Sequence, residues 1–233
     1  MLIKDIKTNE AKSHISNPNA HISFSQFGED LVILSILGMR KRLETGFYVD
    51  VGAFHPFKHS NTALLHLFHG WKGINIDANP DSIQLFEEQR PGDVNIVAAV
   101  SDEEAEREYL RFDHSGVNTL DPGMQQRQTR DGSPFKVKDR VMVRTRGLKD
   151  ILDGLAEPPA RIDFLNVDCE GLDLRVLRSN DWNRYRPRVI AVEALGLKLE
   201  KSSDNPLNVF LRGKGYRLVS HAFVTSIFVG PSE

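Results

Sequence analysis

Short apolar runs alternate with amphipathic segments along most of the chain. The apolar runs have the length and residue types of buried strands, and they lie at about 46–51, 73–77, 95–100, 162–167 and 188–192. Segments with helical signals separate them, at about 29–37, 61–69, 80–90, 148–155, 172–177 and 206–213. Strands that alternate with helices in this way predict a mostly parallel sheet with helices on both faces.

The end of the chain departs from this rhythm. Two further apolar runs, about 216–221 and 224–229, are separated by too few residues for a crossover helix. They must therefore form a hairpin or lie antiparallel to each other. The pattern thus predicts an α/β fold whose parallel sheet ends in an antiparallel strand.

The segment from about 102 to 146 also lacks the strand–helix rhythm. Alternating residues at 108–112 and 141–145 predict two more strands, and the polar stretch between them is interpreted as a mobile loop or lid. The polar residues 1–22 are interpreted as a loose N-terminal arm, which leaves 23–233 as one domain.

Composition and charge disfavour several classes of protein. The net charge of -2 gives no general attraction to nucleic acid or to anionic membranes. The longest apolar run, about 31–37, is far too short to span a bilayer. A single cysteine, Cys169, suits a reducing compartment, and residues 1–10 show no secretory signal. We therefore expect a cytoplasmic protein that binds neither nucleic acid nor membrane.

The first two predicted strands each end in a carboxylate. Asp50 and Gly52 close the first strand and Asp77 closes the second, at the edge where open α/β sheets bind ligands. Such acids can accept hydrogen bonds from ribose hydroxyls and from a positively charged ligand. The turn lacks the second and third glycines of G-x-G-x-x-G and places Phe54 and His55 where phosphates would lie. The pattern therefore disfavours a dinucleotide and fits a nucleoside that carries an amino acid, which describes S-adenosyl-L-methionine.

Seven blocks of sequence follow one another in a recognisable order. They are SQFGED (25–30), FYVDVGA (47–53) with HP (55–56), SNT (60–62), GWKGINIDANP (70–80), AVSD (99–102), IDFLNVDCEG (162–171) and RVIAVE (188–193). In these blocks the chain resembles the FkbM-type S-adenosylmethionine-dependent methyltransferases over about 23–230. Phe54 and Cys169 depart from the residues that relatives often carry there.

This resemblance implies a fold, a cofactor and a reaction. The fold is the class I methyltransferase Rossmann-like fold, with a mostly parallel seven-stranded sheet, one antiparallel strand and helices on both faces. The cofactor is S-adenosyl-L-methionine, and the reaction is O-methylation of a hydroxyl on a sugar or small polyhydroxylated metabolite. The acceptor is then a small molecule or a glycan. An NAD-dependent oxidoreductase and a non-catalytic nucleoside-binding module of the same fold remain the alternatives.

The strand ends and the resemblance together give the candidate site residues. The expected cofactor-binding residues are Asp50, Gly52, Ala53, Asn61, Thr62, Asp77, Ala78, Ser101, Asp102 and Gln26. Asp77 should hold the ribose hydroxyls, whereas plain helix capping is an equally open reading of Asn61 and Thr62. The expected catalytic residues are Asp168, Glu170 and His55, because a carboxylate or a neutral imidazole can take the proton from a hydroxyl acceptor.

Oxygen ligands for a divalent ion are present in the sequence without a metal-binding motif. Asp168, Glu170 and Glu193 end or follow the fourth and fifth predicted strands, and carboxylates suit Mg²⁺. No spacing signature supports such a site, so the sequence assigns no metal.

Overall fold

A seven-stranded sheet runs through the centre of the computed structural model, which describes residues 21–38 and 45–231. The strands are β1 Phe47–Val51, β2 Lys72–Asp77, β3 Val94–Val97, β4 Ala99–Val100, β5 Glu106–Phe112, β6 Val137–Arg146, β7 Phe164–Val167, β8 Val189–Glu193, β9 Arg217–Ala222 and β10 Thr225–Val229. The sheet order is β3-β2-β1-β7-β8-β10-β9. β10 is antiparallel to both of its neighbours, and the other adjacent strands are parallel. The predicted layout and terminal hairpin are thus confirmed.

Helices cover both faces of this sheet, because successive side chains of a strand point to opposite faces. The helices are α1 Glu29–Leu37, α2 Ala63–His69, α3 Pro80–Gln89, α4 Pro122–Thr129, α5 Leu148–Asp153, α6 Asp173–Arg178 and α7 Pro206–Gly213. Val49 belongs to one apolar cluster with Leu148 of α5. Tyr48, the residue before Val49 in β1, belongs to the opposite cluster with Ile33 of α1 and Leu65 of α2. The described helices are all too short or too polar to cross a membrane.

The predicted third strand, 95–100, divides at Ala98. β3 stays beside β2 in the central sheet, whereas β4 pairs with β6 in a small sheet ordered β4-β6-β5. The Ala98 N–H donates to the Asp77 carbonyl at 2.9 Å, and the Ser101 N–H donates to the Arg146 carbonyl at 3.0 Å. Both halves are extended, so the sequence pattern cannot show this change of partner.

The stretch predicted as a loop between β5 and β6 contains helical structure. It holds a short 3₁₀ helix, Ser115–Val117, and α4. Asp121 caps α4 by accepting a hydrogen bond from the Met124 N–H at 2.8 Å, and Pro122 begins the helix. Met124 is the buried residue of this otherwise polar helix, so no apolar periodicity marks it. Residues 1–20 of the predicted N-terminal arm lie outside the described residues.

Candidate active site

The carboxyl ends of β1, β2, β7 and β8 surround a cavity of about 380 Å³. This volume lies within the range of small-molecule binding sites. The predicted site residues that line it are Gln26, Asp50, Gly52, Ala53, Asn61, Asp77, Ala78, Asp168 and Glu170. Parallel strands point their carboxyl ends the same way, so residues far apart in sequence meet at this edge.

A tight turn after β1 brings its backbone against the end of β7. Gly52 has a φ of +77°, and its N–H donates to the Ile76 carbonyl at 2.9 Å. A Cβ atom at Gly52 would lie 1.8 Å from the Asp168 carbonyl oxygen, so only glycine fits without displacing β7. The following Phe54 donates its N–H to Oδ2 of Asp77 at 2.8 Å. The turn therefore ties the ends of three strands together.

Asp77 is held at the end of β2 by the backbone of two turns. Its Oδ1 accepts a hydrogen bond from the Asn79 N–H at 2.7 Å, while Oδ2 accepts the bond from Phe54. Burial raises the pKa of Asp77 to about 6, although both hydrogen bonds oppose the shift. The carboxyl group is thus mostly ionised at neutral pH, and each oxygen can accept a further hydrogen bond.

Asp50 is anchored by a buried polar network behind the cavity. Its carboxylate accepts hydrogen bonds from Asn166 Nδ2 and Thr62 Oγ1, both at 2.9 Å. The fully buried Arg90 in turn donates to the Thr62 hydroxyl at 2.9 Å, and Asn61 Nδ2 donates to Asn166 Oδ1 at 3.0 Å. Burial raises the pKa of Asp50, and its two hydrogen bonds oppose that rise. Thr62, predicted to bind the cofactor, lies outside the cavity lining and positions Asp50 instead.

Three carboxylates meet where β7 and β8 end. Asp168, Glu170 and Glu193 each present an oxygen within 4.8 Å of the other two. Burial raises the pKa of Glu170 to about 7 and that of Glu193 to about 10, and neighbouring acids add to both shifts. The Asp168 side chain is exposed to the cavity. Its pKa is nevertheless raised well above the usual range, first by desolvation between the cavity walls and then by the charges of Asp173 and Glu170. The surroundings therefore do not compensate three negative charges, and at neutral pH the cluster is partly protonated.

Ser101 and Asp102 lie outside the cavity lining. The Ser101 backbone is bonded to the end of β6, and its side chain is fully buried. Asp102 forms an ion pair with Arg175 Nε at 2.5 Å. The pairing of β4 with β6 places these two residues beyond the cavity, and Ala98, Ala99 and Val100 line it in their place.

His55 also lies outside this lining, in a neighbouring depression beside Lys58 and Arg111. Its Nδ1 accepts hydrogen bonds from the N–H groups of Phe57 and Lys58, both at 3.1 Å. Burial and the charge of Lys58 lower the pKa of His55, which favours the neutral imidazole. The ring thus stabilises the turn. Its position outside the cavity lining does not support the predicted catalytic role of His55.

Sequence reasoning missed the wall that the small sheet and the 3₁₀ segment contribute. This wall consists of Tyr109, His114, Ser115, Gly116, Val117, Asn118, Leu120 and Phe135. Tyr109, Leu120 and Leu172 form an apolar cluster with Ala99 of β4. The alternation of residue types in the sequence predicts β5. Its place beside the cavity follows from the structure, because β6 pairs with both β4 and β5.

Comparison with known proteins gives a family match over most of the chain. The sequence matches the family model of the methyltransferase FkbM domain over residues 50–218. A search of curated proteins finds no match. Among solved structures, precorrin-6y C5,15-methyltransferase from Geobacter metallireducens GS-15 is similar, with 14% identity, a TM-score of 0.44 and coverage of 87% of each chain. The METTL16 MTase domain is similar with 14% identity and a TM-score of 0.46, over 86% of this chain and 65% of that chain.

The family match includes the strand ends that form the cavity. Asp50 and Gly52 of the first turn, Asp77 after β2, and Asp168 and Glu170 after β7 all lie within the matched residues. The chain therefore belongs to the FkbM family of S-adenosylmethionine-dependent methyltransferases.

Proposed function

We propose that this protein is an O-methyltransferase that methylates a hydroxyl of a sugar or a small polyhydroxylated metabolite. One observation carries the proposal: the Gly52 turn is in direct contact with the backbone of Asp168. The turn expected to hold the cofactor therefore adjoins the carboxylates at the ends of β7 and β8. Such an arrangement suits transfer of a methyl group to an oxygen whose proton passes to a carboxylate.

The polar groups of the cavity fit the parts of S-adenosyl-L-methionine. Each oxygen of Asp77 can accept one of the two ribose hydroxyls in addition to its backbone hydrogen bond. Oδ1 of Asn61 is buried and has no hydrogen-bond partner among the described residues, so it can accept from the ammonium group of the cofactor. An apolar wall suits the adenine ring. Its residues are Ala99, Val100, Leu120 and Leu172.

The charge of the cavity favours a cationic ligand. No lysine or arginine stands among the described residues that line the cavity, whereas six acids do: Glu29, Asp50, Asp77, Asp168, Glu170 and Glu193. A pyrophosphate would find no cationic side chain to pair with there, while the sulfonium and ammonium groups of S-adenosyl-L-methionine would be attracted to the acids that are ionised at neutral pH, such as Asp77. The same charge disfavours a nucleic-acid acceptor, whose phosphates require cationic side chains. A neutral, hydroxyl-rich acceptor fits this surface.

The carboxylates supply the proton transfer that a hydroxyl acceptor needs. When bound, the cofactor supplies a methyl group on a positively charged sulfur; a C–S bond breaks and a C–O bond forms. Asp168 and Glu170 lie beside the Gly52 turn, and we assign them to accept the hydroxyl proton. With a pKa of about 7, Glu170 is available as a base near neutrality and able to retain the proton.

Methyl transfer from isotopically labelled S-adenosyl-L-methionine to a panel of sugars, glycans and polyols tests this proposal. We expect a labelled O-methyl ether, identified by mass spectrometry and NMR. Glu170→Gln should lower kcat about 100-fold or more, because the base is lost while the cofactor contacts remain. Glu157→Gln is the matched control, since Glu157 is exposed on the loop that leads into the amino end of β7. Transfer of the label only to nitrogen or carbon would contradict O-methylation.

A further inference from the structure

The carboxylate cluster at the ends of β7 and β8 lacks any counter-ion in the part of the chain that is described. Within residues 21–38 and 45–231, the side chains of Asp168, Glu170 and Glu193 form no ion pair and accept no hydrogen bond. Glu193 is only 8% exposed, and its Oε2 is buried without a partner. A buried carboxylate oxygen in that state is costly unless a ligand satisfies it.

A neighbouring acid shows the contrast. Asp173 is buried beside the cluster, and its two oxygens accept hydrogen bonds from the N–H groups of Cys169 and Gly171 at 2.9 and 3.2 Å. Asp173 is therefore satisfied by the protein itself. The three cluster side chains instead bring one oxygen each within 4.8 Å of the other two, and all three residues line the cavity.

Protein side chains provide little charge compensation for the cluster. Arg127 lowers the pKa of Glu170 and of Glu193 through its charge, but it forms no ion pair with either within the described residues. Three carboxylates this close repel one another strongly in a partly buried site. Either protons or a cation must therefore neutralise the cluster when the cavity is occupied.

The spacing of the oxygens suits a hard cation. Adjacent ligands of an octahedral Mg²⁺ ion lie about 3 Å apart, given metal–oxygen distances of about 2.1 Å. The three oxygens lie within 4.8 Å of one another, so small side-chain rotations would bring them to that distance. Glu193 ends a fully buried strand and would be a fixed ligand, while Asp168 and Glu170 lie on the loop after β7.

We infer that Asp168, Glu170 and Glu193 bind one divalent cation of the Mg²⁺ or Mn²⁺ type at the end of the cavity. Three protein ligands leave positions on an octahedral ion for other oxygens. The role of the cation in acceptor binding rests on the proposed function: two neighbouring hydroxyls of the acceptor would occupy those positions. The cation would then favour acceptors with vicinal hydroxyls and lower the pKa of the hydroxyl that is methylated, whose proton would pass to the carboxylate oxygen of Asp168 or Glu170 that does not bind the cation.

Titration of the metal-free protein with Mn²⁺, followed by the electron paramagnetic resonance signal of free Mn²⁺, tests the site. The titration is made with and without S-adenosylhomocysteine, so that the cation and the cofactor sites are measured separately. We expect one Mn²⁺ per chain, displaced by excess Mg²⁺. Glu193→Gln keeps the shape of the side chain and should weaken Mn²⁺ binding by about tenfold or more. Glu157→Gln, at the opposite edge of the sheet, should leave it unchanged.

The outcomes separate this inference from the proposed function. Binding of S-adenosylhomocysteine without stoichiometric Mn²⁺ binding would overturn the cation site and leave the methyltransferase proposal standing. Mn²⁺ binding that is equally strong in Glu193→Gln and wild type would also overturn it, provided that the variant still binds S-adenosylhomocysteine and is therefore folded. Mn²⁺ binding lost only in Glu193→Gln would support the site, even if no nucleoside bound.

Discussion

The contact between the Gly52 turn and β7 makes Gly52→Ala the most informative single substitution. Two separate penalties apply. Alanine at a φ of +77° is strained because its Cβ approaches the backbone of its own peptide unit. The same Cβ would also lie 1.8 Å from the Asp168 carbonyl oxygen, which belongs to a neighbouring strand end.

The structure allows the two penalties to be estimated. The positive φ alone costs about 1–2 kcal/mol for a residue with a Cβ. Relief of the collision requires the ends of β1 and β7 to separate by about 1.6 Å, the gap between 1.8 Å and an ordinary contact distance of about 3.4 Å. Overpacking of this kind costs about 1–3 kcal/mol. We therefore expect Gly52→Ala to lower the free energy of unfolding by about 2–5 kcal/mol in total.

Gly132→Ala is the matched control for the strain alone. Gly132 has a φ of +82°, close to that of Gly52, but a Cβ there meets no atom within 4 Å. Urea denaturation should show a loss of only about 1–2 kcal/mol for Gly132→Ala. At a permissive temperature, Gly52→Ala should also reduce kcat/KM about 100-fold, because the Gly52 turn moves relative to the carboxylates. Equal stability losses in the two variants would refute the contact.

Three other perturbations distinguish residues that support the cavity from residues that contact its ligand. Arg90→Met removes a fully buried guanidinium from the hydrogen-bond network behind Asp50 and should lower the free energy of unfolding by about 3–5 kcal/mol. A loss below about 1 kcal/mol in urea denaturation would contradict a stabilising role of that network. Asp102→Ala removes the ion pair with Arg175 and a long hydrogen bond from the Ser101 hydroxyl, both outside the cavity lining, so calorimetry should find unchanged affinity for S-adenosylhomocysteine. A tenfold loss of affinity would indicate that Asp102 belongs to the cofactor site. With a raised pKa of about 6, Asp77 is ionised above that pH and becomes protonated below it, so affinity should fall as pH drops from about 7 to about 5. Asp77→Asn should abolish this dependence, and a flat wild-type profile would argue against Asp77 as the acceptor.

The parts of the site that sequence predicts are those set by local pattern. Asp50, Gly52 and Asp77 follow short apolar strands, and parallel strands bring their carboxyl ends to one edge whatever the detailed packing. Asp168 follows the same rule at the end of β7. These residues line the cavity because their position depends only on strand order and direction.

The parts that sequence missed depend on tertiary pairing. Ser101 and Asp102 continue an extended segment, yet the segment leaves the central sheet after Ala98 and joins β6. α4 is polar and is held by the Asp121 cap and one buried methionine, so it has no apolar period. The change of strand partner cannot be seen in a one-dimensional pattern, because it is decided by a strand far along the chain. α4 carries the local start signal Asp121-Pro122, but its polar sequence gives no apolar period to follow that signal.

Calorimetric titration of the wild-type protein with S-adenosylhomocysteine, alongside NAD⁺, tests the central claim most directly. We predict binding of S-adenosylhomocysteine with a Kd on the order of micromolar, and no comparable binding of NAD⁺. Asp77→Ala should abolish this binding, whereas Glu87→Ala, on the exposed side of α3, should leave it intact. Absence of S-adenosylhomocysteine binding, equal affinity in Asp77→Ala, or preferential binding of NAD⁺ would contradict the account.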